Sequence, residues 1–176
     1  MAGNKHPERL VNFRVYGESN AYYGIATVEL PEIEYMSDTV SGAGISGEIE
    51  SPVIGHISAM EMTLSWRTIM KEAMALADST KAHQLEIRGS EQEYDSSSGT
   101  YSTIPVKVVV KAAPKTITLG SFEPGATTDT EQTFAVNYLK MTVNNEETLE
   151  FDPFGGKATV KGVNALDSVN KDLGVS

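Results

Sequence analysis

Apolar residues in this chain recur mostly at every second position, the period of a strand with one buried face. From Ile57 to Trp66, residues Met60, Met62, Leu64 and Trp66 point one way, and Ala59, Glu61, Thr63 and Ser65 the other. Ala26, Val28 and Leu30 alternate with Thr27 and Glu29 until Pro31, which cannot donate to a ladder and so predicts a sheet edge, a bulge or a strand end. Val106, Val108 and Val110 alternate with Lys107, Val109 and Lys111, and this strand runs on past Pro114. Between Thr133 and Val143 the phase slips: Phe134, Val136 and Tyr138 share one parity, Leu139, Met141 and Val143 the other, which predicts a bulge or a change of buried face. Asn144-Asn145 tolerates positive φ and turns this strand back into Thr148 to Phe151 as a hairpin.

One stretch has the helical period instead. "RTIMKEAMALAD", Arg67 to Asp78, spaces Ile69, Met70, Ala73, Met74, Leu76 and Ala77 as a helix packed across the sheet. A shorter helix starts near Asn164, with Asn164 as its cap and Gly174 as its end. Residues 90–103 and 120–132 read as polar loops. The fold class expected is mainly β, an antiparallel sandwich or barrel with one principal flanking helix, in a single domain over residues 1–176 whose first nine residues form a flexible leader.

Composition narrows the function. The 176 residues suffice for one core. With no cysteine, disulfide and thiolate–metal frameworks are excluded. No apolar run approaches the roughly 18 residues of a membrane span, and the polar start predicts a soluble protein without a cleaved signal. A formal charge of −10, from 24 acidic and 14 basic residues, argues against a nucleic-acid-gripping surface. His6, His56 and His83 lie in no metal-ligand spacing, so neither a metal nor a cofactor is expected. No phosphate loop or Gly-x-Ser-x-Gly elbow occurs. Paired carboxylates drawn from Glu29, Glu32, Glu34, Glu48, Glu50 and Glu61 are the one catalytic alternative, of glycosidase type. A carbohydrate-binding β-sandwich, with Tyr22, Tyr23, Tyr94 and Tyr101 as a stacking platform, is the other alternative to a purely structural protein.

Six segments in order, "NFRVYGE" (12–18), "YYGIATVELPEIE" (22–34), "SGAGISGEIE" (41–50), "ISAMEMTLSW" (57–66), "YLKMTVNNEETLEFD" (138–152) and "GVNALDSVNKDLG" (162–174), span nearly the whole chain. Together they resemble the major tail tube proteins of contractile-tailed bacteriophages, a family also used in phage-tail-like bacteriocins. The resemblance implies a non-enzymatic structural protein that forms hexameric rings stacked into a tube inside a contractile sheath. Its implied partners are further copies of itself, the tail sheath protein, and the baseplate or tube-initiator and tape-measure proteins, with DNA only as passing cargo and no membrane. Its implied place is the virion tail, assembled in the host cytoplasm.

The resemblance also gives roles to residues. The segment 40–52 is too poor in side chains to make a core and on its own reads as a disordered stretch or hairpin tip. In a tube it becomes the loop bridging stacked rings through Ser41, Gly42, Ala43, Gly44, Ile45, Ser46 and Gly47. Glu29, Glu32, Glu34, Glu48, Glu50 and Glu61 become lumen-lining rings of negative charge that repel DNA from the wall, the alternative for each being an outward solvated position. Lys107, Lys111 and Lys115 share one parity and form either a sheath-facing stripe or a solvated strand face.

Overall fold

The computed structural model describes residues 4–24 and 26–175. In chain order the strands are β1 (Lys5–Tyr16), β2 (Ala26–Glu29), β3 (Tyr35–Val40), β4 (Ile49–Ile57), β5 (Met60–Trp66), β6 (His83–Asp95), β7 (Thr100–Thr118), β8 (Thr130–Val143), β9 (Glu146–Asp152), β10 (Lys157–Val160) and β11 (Val163–Asn164). The helices are α1 (Lys71–Met74), continued by a 3-10 turn at Ala75–Ala77, and α2 (Asp167–Asp172). Every strand pairing is antiparallel. The expected class, mainly β, holds.

One sheet of nine strands follows the path β1-β6-β7-β8-β9-β10-β11, with β5 joined to β8 and β2 to β5; β3 and β4 form a separate two-stranded sheet. β8 holds the larger sheet together. Lys111 faces Tyr138 and Ala112 faces Val136, which leaves Asn137 as an extra residue between them. Before Asn137 the free edge of β8 pairs with β5, Met60 opposite Val136; after it the same edge pairs with β9, Leu139 opposite Phe151. The slip in apolar phase is therefore a bulge at which the strand changes partners.

The inward face follows the alternation closely. Met60, Met62, Leu64 and Trp66 are buried together with Phe134, Val136, Val108, Val110, Leu85 and Val15. The sheet rolls so that β2 lies over the β1–β6–β7 flank: Val28 and Leu30 face Leu10, Phe13, Ile87 and Val108 across an open apolar groove of about 170 Å³. Consequently the outer faces of β2–β5 and of β1–β6–β7 look away from each other. β2 pairs only with β5, so Pro31 follows an edge strand, as its missing donor requires.

Several expectations need correction. The helix predicted over Arg67–Asp78 is only α1 and its 3-10 turn. Residues before it stay extended, with Met70 at φ −119, ψ 137, because the Thr128 backbone N–H donates to the Arg67 carbonyl at 2.9 Å and the Met70 sulfur sits over Gly24. Asp78 ends the segment by accepting from the Thr80 N–H at 2.9 Å. Ala73 and Leu76 do bury against the core, but Ile69 is exposed.

From Lys5 onward the supposed leader is the first part of β1, with Lys5 opposite Asp95 and His6 opposite Tyr94. Residues 90–103, expected as a loop, are the polar ends of β6 and β7 around a turn at 96–99, pinned by Asp95 accepting from Ser97 at 2.8 Å. They lack a core rhythm because this ribbon extends past the core; its stability comes from the ladder and from cross-strand pairs such as Tyr94–Tyr101, centroids 5.0 Å apart. The loop expected at 120–132 ends sooner, since Thr130 and Gln132 are already buried in β8. Asn164 does not cap α2 through its main-chain position; its side-chain oxygen accepts from Ala158 and Leu166, which tie β10 to the start of α2. Gly174, at φ 68, ends that helix as expected.

Candidate functional site

The Gly/Ser segment is the tip of the β3–β4 hairpin, and residues 41–48 between the two strands are all exposed. Gly44 and Gly47 take φ of +96 and +138, conformations that side chains rarely adopt, and an added Cβ at either would touch nothing. The glycines thus serve the backbone path and not a close approach within the chain. Among the described residues the hairpin is fastened at its base. The Ser58 N–H donates to the Glu34 carbonyl at 2.8 Å, Tyr35 meets Phe151 edge-on at 6.4 Å, and Gly55 lies against Leu166.

Apart from that base it is open on both faces. Met36, Val40, Ile49, Val53 and Ile54 are exposed, Ile54 by 63%. A lone two-stranded hairpin is marginal in water, and contiguous exposed apolar side chains on one mark a surface that another molecule covers.

The six glutamates are all exposed but do not share one environment. Glu29 lies on the outer face of β2, opposite Thr63. Glu32 and Glu34 follow in the segment leading to the hairpin, while Glu48 and Glu50 ride on the hairpin itself. Glu50 accepts a hydrogen bond from the Ser37 hydroxyl.

Glu61 is bound to Lys115 in an ion pair whose two side chains are each 51% exposed. Placing Glu61 on the lumen and Lys115 on the sheath side puts one ion pair on two opposite walls, so those two roles exclude each other. Lys115 is also the extra residue of a second bulge, between Pro114 opposite Phe134 and Thr116 opposite Thr133, which turns it toward β5. Lys107 and Lys111 remain exposed on the outer face of β7, with Lys111 5.5 Å from the Tyr138 ring centre.

The tyrosines expected to form one platform separate. Tyr23 packs against Trp66 at 6.4 Å and Tyr22 against Tyr16 at 6.1 Å. Tyr94 and Tyr101 pair near the ribbon tip, eight residues along β6 from the Glu86 that faces Tyr16, or roughly 26 Å at strand rise.

Sequence reasoning passed over two buried carboxylates. Glu93 is buried and accepts from Lys5 Nζ at 2.9 Å, an interaction that raises the lysine pKa. Glu150 is buried beside Phe151, accepts from the Tyr138 hydroxyl at 2.9 Å, and has Lys157 at 3.6 Å. Burial, then the hydrogen bond to Glu150, pushes the Tyr138 phenol up to about 12. Next to it Lys140 donates to Glu147 at 2.6 Å, holding that carboxyl below its ordinary value. The legible signal is a β-strand, "EETLEFD", with four carboxylates, of which Glu146, Glu147 and Glu150 stand opposite the strand that carries Lys140.

Known proteins resemble this chain in sequence and, separately, in fold. The chain is 25% identical over 176 residues to the tail tube protein of Escherichia phage P2, covering 96% of this chain and 98% of that protein. Two solved structures of an extracellular contractile injection system share its fold. A PVC sheath/tube terminator in the extended state superposes with a TM-score of 0.56 at 18% identity, over 78% of this chain and 97% of that one. A chain of the PVC sheath-tube complex, also extended, gives 0.56 at 17% identity over 78% and 92%. The family profile for phage tail tube protein FII matches residues 7–174, and the chain belongs to that family.

Proposed function

We propose that this protein is the inner-tube subunit of a contractile phage tail or phage-tail-like particle, assembling as hexameric rings that stack inside a sheath and leave a conduit for DNA. The observation that carries the proposal is the β3–β4 hairpin: apolar, fastened at its base and, among the described residues, uncovered within its own chain. Such a hairpin gains its stability from a neighbour, and a repeating neighbour makes a polymer. Ser41–Gly47 then forms the contact between rings, the open glycines letting the backbone lie flat against the next copy.

Channel-facing charge is assigned to Glu29, Glu32 and Glu34, which lie along and just after the β2 edge. Six-fold repetition turns each into a ring that lowers the affinity of the wall for a polyanion. Glu61 contributes little there, since Lys115 neutralises it. Lys107 and Lys111, on the opposite flank, face protein neighbours, among which the resemblance places the sheath. The baseplate or initiator and the tape-measure protein are the remaining partners of a tube subunit, and its place is the virion tail after assembly in the host cytoplasm.

Deleting Ser41–Gly47 tests the proposal. The expected product is a folded monomer, by circular dichroism and sedimentation, that forms neither rings nor tubes in electron micrographs, whereas the intact chain does. Unaltered tubes from the deleted chain refute the assignment.

A further inference from the structure

Across β1, β6 and β7 three cations stand directly opposite one another. Arg14 pairs in register with Arg88, and Arg88 with Lys107. The row continues to Thr142 on β8. All three side chains are on the outer face of the flank and exposed. Cross-strand neighbours lie about 5 Å apart, and like charges so placed destabilise a sheet.

Only the middle cation is balanced. Arg88 donates to Glu86 and to the Asn20 side chain, the latter at 2.9 Å, and lies over the Tyr16 ring at 4.6 Å. Arg14 has only the Tyr22 ring, at 5.4 Å. Neither Arg14 nor Lys107 has a carboxylate within ion-pair distance among the described residues.

The complementary charge is elsewhere in the same sequence. From Val15 to Trp66, every residue formally charged at pH 7 is a carboxylate. The β3–β4 hairpin presents Asp38, Glu48 and Glu50 exposed at or near its tip, and among the described residues none of the three has a cation within ion-pair distance. Within its own chain the hairpin touches β10, Phe151 and Leu166, at the other end of the sheet from β1. A strand of six residues such as β3 reaches roughly 20 Å, enough to cross onto a neighbouring subunit.

We infer that the Arg14–Arg88–Lys107 row is the docking site for the acidic tip of the β3–β4 hairpin of a second copy of this chain. The inference rests on the hairpin being the contact between copies and adds where it lands. Each copy has one row and one tip on separate parts of its surface, so the contact is head-to-tail and repeats, as a polymer requires. Glu48 and Glu50 then face the neighbour and not the channel, and salt weakens the contact by screening it.

The absence of cysteine allows a direct test. Full-length Glu48→Cys and Lys107→Cys chains are mixed, assembled and oxidised. The expected result is a disulfide-linked dimer of one chain of each kind, several-fold above the yield of either variant alone and of a Glu48→Cys with Lys71→Cys control. A yield no higher than the control, from material that does assemble, overturns the inference. In parallel, Arg14→Glu with Lys107→Glu, and separately Glu48→Lys with Glu50→Lys, abolish sedimentable tubes, while all four changes in one chain restore them.

Reversal of the row that leaves tubes intact but prevents sheath binding, or alters only DNA retention, also overturns it and gives the row to that partner instead. Loss of tubes on deleting Ser41–Gly47 without a Glu48–Lys107 cross-link sinks this landing site and spares the hairpin's role. Tubes that survive the deletion sink both.

Discussion

Gln132 sits in the core as a polar residue with two obligations. The Trp66 indole N–H donates to its side-chain oxygen at 2.9 Å, and its side-chain nitrogen donates to the Ala73 carbonyl at 3.1 Å. Trp66, Gln132 and Ala73 are all at most 1% exposed, so water does not substitute for a lost partner. Gln132→Leu keeps much of the volume and removes both bonds. A buried donor left without an acceptor costs about 1–3 kcal/mol, and the weakened Ala73 carbonyl adds about 1 kcal/mol. The apolar replacement returns roughly 1 kcal/mol.

The net expectation is a loss of about 1–3 kcal/mol, a large share of the 5–15 kcal/mol typical of a domain. Trp66 is the only tryptophan, so urea unfolding of dilute, unassembled protein followed by its fluorescence reads the very site being perturbed. In the Gln132→Leu background, Trp66→Phe costs less than it does in the parent, because the indole N–H it removes is already unpaired; the two variants without tryptophan are followed by far-ultraviolet circular dichroism. A loss under about 0.5 kcal/mol for Gln132→Leu, or strictly additive effects, refutes the view that this amide anchors α1 to the sheet.

Three further outcomes are expected. The Tyr138 phenol ionises near 10 when unfolded and at about 12 when folded, so the stability it lends is full below pH 10 and declines as pH rises toward 12; Tyr138→Phe flattens that decline, and an unchanged alkaline unfolding profile contradicts it. Asn145, at φ 64 in the turn between β8 and β9, gains about 0.5 kcal/mol as Asn145→Gly and loses about 1 kcal/mol as Asn145→Val, by thermal melting; equal melting points remove the role given to its backbone. Glu61→Gln lowers the unfolding free energy by less than about 1 kcal/mol in a denaturant titration, because the pair with Lys115 is half exposed at both ends, and a larger loss means that surface is covered.

What could be read from the residues is what the core enforces. Met60, Met62, Leu64 and Trp66 alternate because each alternate position meets apolar neighbours, and the slip between Val136 and Leu139 is legible because both sides of the bulge bury something. Where no core lies beneath the chain the signal fades. The ribbon formed by residues 90–95 and 100–103, together with Lys5–Arg9, is strand by pairing alone, and its Ser, Thr, Glu and Gln read as loop.

The helix at 67–78 was overextended for the opposite reason. Ala73 and Leu76 do face the core, but Arg67 is held extended by Thr128, a partner more than fifty positions away that local spacing does not encode. The candidate surfaces divide likewise. The glycine tip and the lysine parity were visible in sequence; that Glu61 binds Lys115, and that Arg14, Arg88 and Lys107 stand abreast, depends on register.

β8 belongs to two sub-sheets at once, handing its edge from β5 to β9 at Asn137. A pull on the β2–β5 arm and a pull on the β9–β10–β11 arm therefore both load the same 14-residue spar, the first along residues 130–136 and the second along residues 139–143. Mechanical load entering one end of the subunit is passed toward the other through a single continuous backbone, with the bulge at Asn137 as the point where it changes hands.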